Sequence, residues 1–298
     1  MTNSYKKCLM TDGFISTSPL PTPDQLQKFY ADTYYQAPKS STYQESYDSL
    51  EIEYKNLKCN ALIHALNENM PNGKAKTFLD VGAGEGFLLN AASKAGFEVT
   101  GLDYSAYGVA KFFPHLSNQH IAGDIFTSLS GLISQGKQFS VCTSTNVLEH
   151  VLDPNLFLQS IRNVVEPNGL VAITVPNDYS DIQQLALSEG MIESEFWFLP
   201  PHHLHYFNTE SLVQFMVKGG FEVLDAFSDF PVDLYLLHSG SNYVINQKNG
   251  GEANRARMHH DIMIASKNGV KKYLDYYRAM FNVGIGRDIT VIVRPTSD

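Results

Sequence analysis

Long apolar runs, clustered basic residues and paired cysteines are all missing from this chain of 298 residues. No segment approaches the ~18 consecutive apolar residues of a membrane span. The opening stretch MTNSYKKCLMTDGFISTSPL holds no apolar core of the kind a secretory signal needs. Acidic residues outnumber basic ones 31 to 22, a net charge of −9, and the nearest approaches to a basic cluster are Lys6-Lys7 and Lys271-Lys272. Nucleic-acid affinity comes from grouped Lys and Arg that neutralise phosphates, so a nucleic-acid partner is not expected, nor is a membrane one. The three cysteines, Cys8, Cys59 and Cys142, are odd in number and far apart. They offer neither a disulfide framework nor a CxxC zinc knuckle, and a reducing, cytoplasmic setting fits them. Internal repeats and low-complexity tracts are absent as well. What remains is a chain with 43% hydrophobic residues, enough to bury a substantial core.

That core reads as alternating strands and helices. Residues 1–42 are rich in Ser, Thr, Pro and Tyr, with one short helical candidate at 23–30. From Tyr43 to about Met70 apolar and aromatic residues recur at steps of three and four, an amphipathic helix that Pro71-Asn72-Gly73 ends. Strands are expected at 77–83, 97–103, 139–145, 170–175, 221–227 and 288–294, with a short one within 120–126. Helices are expected at 86–96, from Ser105, at 154–165 and at 209–220. Strands separated by helices imply a parallel sheet covered on both faces. The segment 228–285 is too long for a turn and suggests an inserted helical cap. The expected organisation is an N-terminal helical cap over 1–71, a core over 72–227 plus 286–298, and a second cap over 228–285.

The sharpest local signal is LDVGAGEGF, 79–87. Gly82, Gly84 and Gly86 alternate through a strand-to-helix turn, where a bare backbone can turn tightly and approach a ligand. The third glycine falls one residue early for GxGxxG, and Phe87 stands in its place. Asp80, just before the loop, suits a cationic ligand better than a pyrophosphate. Asp103 ends the second strand, where a carboxylate can accept hydrogen bonds from a ribose diol. Asp124 follows the third strand, where an acceptor can read an adenine amino group.

In this order, Asp80, the glycines, Asp103 and Asp124 resemble the class I S-adenosylmethionine-dependent methyltransferases, over roughly residues 72–227 and the last strand. The resemblance implies an α/β, Rossmann-like, seven-stranded, mostly parallel sheet with an antiparallel last strand. It also implies S-adenosylmethionine as cofactor, held by Asp80 and the glycines at its methionine end, Asp103 at the ribose and Asp124 at the adenine. The stretch NVLEHVLDP, 146–154, is similar to the subfamily of ubiquinone-pathway O-methyltransferases and of sugar methyltransferases. It sets Asn146, Glu149 and His150 near the transferred methyl, with Asn146 counted on the cofactor side. Some members hold a divalent metal there with an acid-x-x-acid-His cluster, and Asn146 replaces its first acid. No Asn-Pro-Pro-aromatic element of the kind that acts on nucleic-acid amines follows the strand.

The run HHLHYF, 202–207, is where that subfamily often shows a histidine, an aliphatic residue, a variable one and two aromatics, which places His203 on the matching position. Extended backbone would send His202 and His203 to opposite sides, so no metal site is expected. An alcohol needs a proton acceptor to become a good nucleophile, and His203 and His150 are the base candidates. Trp197 is expected to pack rather than to stack on a sugar, and Arg287 is a candidate for an anionic substrate. The expected enzyme methylates a small acceptor, an oxygen of a sugar, nucleotide-linked sugar or glycan precursor by resemblance. The alternatives are a nicotinamide-dependent oxidoreductase, against which Asp80 and the off-register glycine weigh, and a non-catalytic module on the same fold. The sequence leaves the oligomeric state open.

Overall fold

The computed structural model of the chain describes residues 5–29, 45–70 and 76–296. Two short strands, β1 (Lys6–Leu9) and β2 (Ile15–Ser18), precede α1 (Pro23–Phe29) and the long α2 (Ser49–Asn69). A reciprocal capping box starts α2: the Asp48 carboxylate accepts from the Glu51 N–H at 2.9 Å, and the Glu51 carboxylate accepts from the Asp48 N–H at 2.8 Å. The helix begins at Ser49 rather than near Tyr43 as expected, because Asp48 caps it and residues 45–48 are not helical; Tyr43 itself, the expected stop at Pro71-Asn72-Gly73 and the boundary between 71 and 72 lie outside the described residues.

The alternation then unfolds as β3 (Thr77–Val81), α3 (Phe87–Lys94), β4 (Glu98–Asp103), α4 (Tyr107–Phe112), β5 (His120–Ala122), α5 (Ile125–Ser134), β6 (Phe139–Thr145), α6 (Pro154–Val164), β7 (Val165–Pro176), α7 (Asp181–Ser188), β8 (His205–Tyr206), α8 (Thr209–Lys218), β9 (Phe221–Ser228), α9 (Lys248–Asn282) and β10 (Asp288–Pro295). Seven strands form one sheet in the order β5-β4-β3-β6-β7-β10-β9. β3 pairs parallel to β4 and β6, and β10 runs antiparallel between β7 and β9. This is the Rossmann-like sheet with an antiparallel last strand that the sequence implies. The strand order reverses between β3 and β6, which opens a crevice beyond the carboxyl ends of those strands.

Period-two alternation decides what each strand sends to each face. On β3, Leu79 and Val81 enter a core cluster with Phe157, Ile161 and Phe215 of α6 and α8. Phe78 enters the opposite cluster with Leu62, Leu66 and Leu89 of α2 and α3. Asp80 therefore points to the α2 side, as does Thr143 on β6, whose neighbour Cys142 belongs to the first cluster.

Two regions differ from the expected pattern. β1, β2 and β8 form a small three-stranded sheet, in which Ile15 faces Tyr206 and Ser16 faces His205. Its strands of two to four residues are too short for an alternation signal, and β8 lies far along the chain from β2. The expected second cap divides. A short turn of helix at Val232–Leu237 buries Leu236 beside Trp197. α9 breaks at Gly269 (φ 80°, ψ 164°), and beyond that break Tyr273, Leu274 and Tyr277 join the core under α2. Among the described residues no helix is long and apolar enough to cross a membrane.

Candidate active site

The glycine loop leaves β3 with three left-handed residues, Gly82 (φ 86°), Gly84 (φ 54°) and Gly86 (φ 83°), a backbone that L side chains rarely adopt. The Gly82 and Ala83 N–H groups both donate to the Leu102 carbonyl, at 2.8 and 2.9 Å, which folds the loop back onto β4. A Cβ on Gly82 would sit 2.2 Å from Val147 Cγ2, so only the bare main chain of the loop lets the Val147 side chain approach it.

Asp103 fixes the next turn. Its Oδ2 accepts from the Gly84 N–H at 2.9 Å and its Oδ1 from the Ser105 N–H at 3.0 Å. Asp124 is exposed and caps α5, accepting from the Thr127 N–H at 2.8 Å and the Thr127 hydroxyl at 2.9 Å. Asn146 follows β6 at φ 54°, a strained conformation for a non-glycine residue, and its N–H donates to the Thr174 carbonyl at 2.9 Å.

Gly82, Gly84, Asp103, Asp124, Asn146, His150 and His203 all line one cavity of about 880 Å³. Such a volume accommodates a nucleoside-sized ligand with an acceptor beside it. Asp80 and Gly86 lie next door, in a hollow of about 290 Å³ that shares Gly82, Glu85, Thr145 and Asp288 with the larger one. The buried Asp80 carboxylate accepts from the Thr143 hydroxyl at 2.8 Å. Burial pushes this carboxyl up to about 7, opposed by the Thr143 hydrogen bond and reinforced by the charge of Asp103.

The histidines correct one expectation. The chain over 199–203 is a turn, not a strand: the N–H groups of His202 and His203 both donate to the Leu199 carbonyl, at 2.9 and 3.1 Å. Their rings stack with centroids 4.8 Å apart, and each lies 4.9 Å from the ring of His150. His150 Nδ1 contacts the His202 carbonyl at 2.6 Å, and its Nε2 lies 3.6 Å from Glu149 Oε1. His203 Nδ1 stands 3.9 Å from Asp178 Oδ2. Burial holds His150 down at about 4 and His203 at about 2, with neighbouring imidazoles adding to both, so the cluster is neutral at neutral pH. His205 is apart from it, its Nε2 on the Val151 carbonyl at 2.9 Å.

Glu85 and Asp178 enter the site although the sequence did not single them out, and they join Glu149 and Arg287, which it did. The Glu85 carboxylate accepts from the Tyr47 hydroxyl and from Lys55 Nζ, the latter at 2.9 Å, which ties the entry of α2 to the glycine loop. Asp178 is buried and paired with Arg287 at 2.8 Å, and Arg287 itself lines the cavity. Glu149 is 1% exposed, neither of its carboxylate oxygens has a hydrogen-bond partner among the described residues, and burial raises its pKa well above the usual carboxylate range. Only an acid directly after a strand, as at Asp178, gives such a residue away beforehand. Trp197 is buried in a small cluster with Ala186, Ile192 and Leu236, as expected of a packing residue.

Comparison with known proteins agrees with this geometry. The model of a methyltransferase domain family matches residues 53–226, more than half of the chain. The ubiquinone biosynthesis O-methyltransferase of Bradyrhizobium diazoefficiens is 31% identical over 99 residues, which are 33% of this chain and 39% of that protein. The protein of the same name from Caulobacter vibrioides is 29% identical over 127 residues, 42% of this chain and 50% of that one. The chain thus spans half or less of the length of these curated relatives. Among solved structures, the (4+2)-cyclase SpnF superposes with a TM-score of 0.51 at 17% identity, over 94% of this chain and 98% of that one, which shows the shared fold.

Proposed function

This chain belongs to the methyltransferase domain family, and we propose that it transfers a methyl group from S-adenosylmethionine to an oxygen of a small acceptor, a sugar, nucleotide-linked sugar or glycan precursor. The observation that carries the reading is the single cavity into which the glycine loop, Asp103 and the histidine cluster all open. The residues fit the cofactor: left-handed glycines leave bare main chain, Asp103 is oriented by two N–H groups, and Asp80 is a buried carboxyl that gains from a nearby positive charge. When bound, S-adenosylmethionine supplies an electrophilic methyl on a sulfonium. Asp80 and the three glycines hold its methionine end, Asp103 its ribose and Asp124 its adenine, with Asn146 beside them.

On the acceptor side His203 takes the hydroxyl proton. Asp178 near its Nδ1 balances the imidazolium, and Arg287 keeps Asp178 in place. His150 is the second proton acceptor. A positioned base contributes about 10²–10⁴-fold. The sugar acceptor is supported by the resemblance of the HLHYF run, the oxygen by the O-methyltransferase relatives. A cytoplasmic setting, without a nucleic-acid or membrane partner, belongs to the same proposal and is supported by three free cysteines and the acidic balance.

Titration calorimetry with S-adenosylhomocysteine and with NAD tests the cofactor: homocysteine-cofactor binding is expected, and NAD binding alone overturns the proposal. Turnover against sugar nucleotides and phenols then tests the acceptor, with transfer to phenols alone removing the sugar.

A further inference from the structure

One group in the larger cavity has no part in the proton transfer to His203. Glu149 follows β6 and lines that cavity with Gly82 and Asn146 on the cofactor side and His150 and His203 on the acceptor side. Its side chain is 1% exposed, and neither carboxylate oxygen has a hydrogen-bond partner among the described residues. Its backbone is fixed, because the Glu149 carbonyl accepts from the Leu204 and His205 N–H groups at 2.8 and 3.2 Å. The charges around the carboxylate do not neutralise it. Asp178 and Asp288 add negative charge, and Arg287, the cation that opposes them, is already paired with Asp178 at 2.8 Å. His150 Nε2 stands 3.6 Å from Glu149 Oε1, but burial keeps that ring and those of His202 and His203 from holding a proton at neutral pH. A buried carboxylate without hydrogen bonds or a counter-charge is costly, so its proton affinity rises well above the usual range.

We propose that Glu149 is the counter-charge of the cofactor's sulfonium before transfer and the final holder of the acceptor's proton after it. The inference rests on the methyl transfer proposed above. In that reaction the S–CH3 bond breaks with its electron pair left on sulfur, the acceptor O–H bond breaks, and a C–O bond forms. The products are a thioether, a methyl ether and one proton, so the positive charge passes from sulfur to that proton. Glu149 matches both states: ionised opposite a cation, and protonated once the sulfur is neutral. His150, with Nε2 3.6 Å from Oε1, is the imidazole through which a proton accepted by the histidine cluster reaches Glu149. The low proton affinity of the rings suits groups that pass a proton on rather than keep it. The buried wall then carries the same net charge before and after transfer, and no second unpaired charge is left in it.

Two forms of the cofactor separate this role from a structural one. S-adenosylmethionine and S-adenosylhomocysteine share the adenosine and the amino-acid end and differ in the charged methylsulfonium. Contacts of Asp80, Asp103 and Asp124 therefore cancel in the ratio of their affinities. Calorimetry uses the whole chain, without acceptor and with EDTA present, and S-adenosylmethionine is expected to bind more tightly. Glu149→Gln is expected to weaken S-adenosylmethionine by about 10-fold or more, because an adjacent opposite charge shifts an ionisation by about one unit or more. The same variant is expected to bind S-adenosylhomocysteine as the parent does. Glu222→Gln, exposed on β9, is the control and should keep the parent ratio. In the parent the ratio is expected to rise between about pH 5 and 8, as ionised Glu149 becomes available. Asp178, Asp288, Arg287 and the imidazoles of His150, His202 and His203 also surround this carboxyl, so Glu149→Gln must flatten the rise. Equal loss of both ligands, or an unchanged ratio in Glu149→Gln, overturns the counter-charge. Where that variant does not fold, the parent decides: a ratio that does not change with pH overturns it. Failure of the parent to bind S-adenosylhomocysteine overturns the methyltransferase reading itself, which the Glu149 results otherwise leave standing.

Discussion

The two halves of the cavity are built in opposite ways. The cofactor half comes mostly from one stretch, from Asp80 to Asp124, and most of its contacts are short-range: Gly84 to Asp103, Asp103 to Ser105, Asp124 to Thr127. The longer reaches are the Asp80 contact with Thr143 and the addition of Asn146 from after β6. The acceptor half gathers His150, Asp178, His202, His203 and Arg287 from separate segments, and Asp178 alone draws on a residue 109 positions away. The first half is held by main-chain geometry and the second by buried polar side chains. The first tolerates few residue types. The second depends on groups that only the finished fold brings together.

Removing one imidazole should part the halves most widely. His203→Ala is expected to lower kcat by about 10²–10⁴-fold while S-adenosylhomocysteine affinity by calorimetry stays the same. Equal losses in both would show that the halves are one unit. The next effect concerns Asp80, whose carboxyl sits near 7 in the folded chain against 3.8 for the free side chain. Because the folded value is raised, its contribution is fully present below about pH 4 and is lost as pH rises toward 7, by up to about 4 kcal/mol. Denaturant melts of the ligand-free protein across that window should show the decline, and Asp80→Asn should flatten it.

Gly82→Ala attacks the loop itself. The added methyl meets Val147 in a left-handed backbone, and S-adenosylhomocysteine affinity is expected to fall by about 100-fold, read by calorimetry. Asp124→Ala should do least, removing the α5 cap for about 1 kcal/mol of stability in a urea melt. A larger loss of cofactor affinity than of stability there would sharpen its adenine role.

The same contrast explains what could be read in the sequence. β6 occupies 139–145 as expected, and β9 and β10 each extend one residue past their expected ends; β6 and β10 are buried runs inside the sheet, and the edge strand β9 still shows its apolar residues between turn signals. The glycines and Asp103 were legible for a related reason: a turn and its cap are spelled within a few residues. The convergence of His202 and His203 was not legible. It depends on a turn closed on the Leu199 carbonyl, and extended backbone is the wrong default there. Asp178 was hidden for the same reason, since its ion pair with the distant Arg287 leaves no periodic trace. β1, β2 and β8 were missed because two to four residues cannot show alternation.

The small sheet also sets an order of events during synthesis. β2 leaves the ribosome about 190 residues ahead of β8, so Ile15 and Ser16 wait for Tyr206 and His205 while the large sheet takes shape. Leu204, whose carbonyl accepts the Thr17 N–H at 2.8 Å, is the residue that follows His203. The newborn chain can thus finish its nucleoside-side turn early, whereas the imidazole wall is pinned only once the oldest strand finds one of the younger ones.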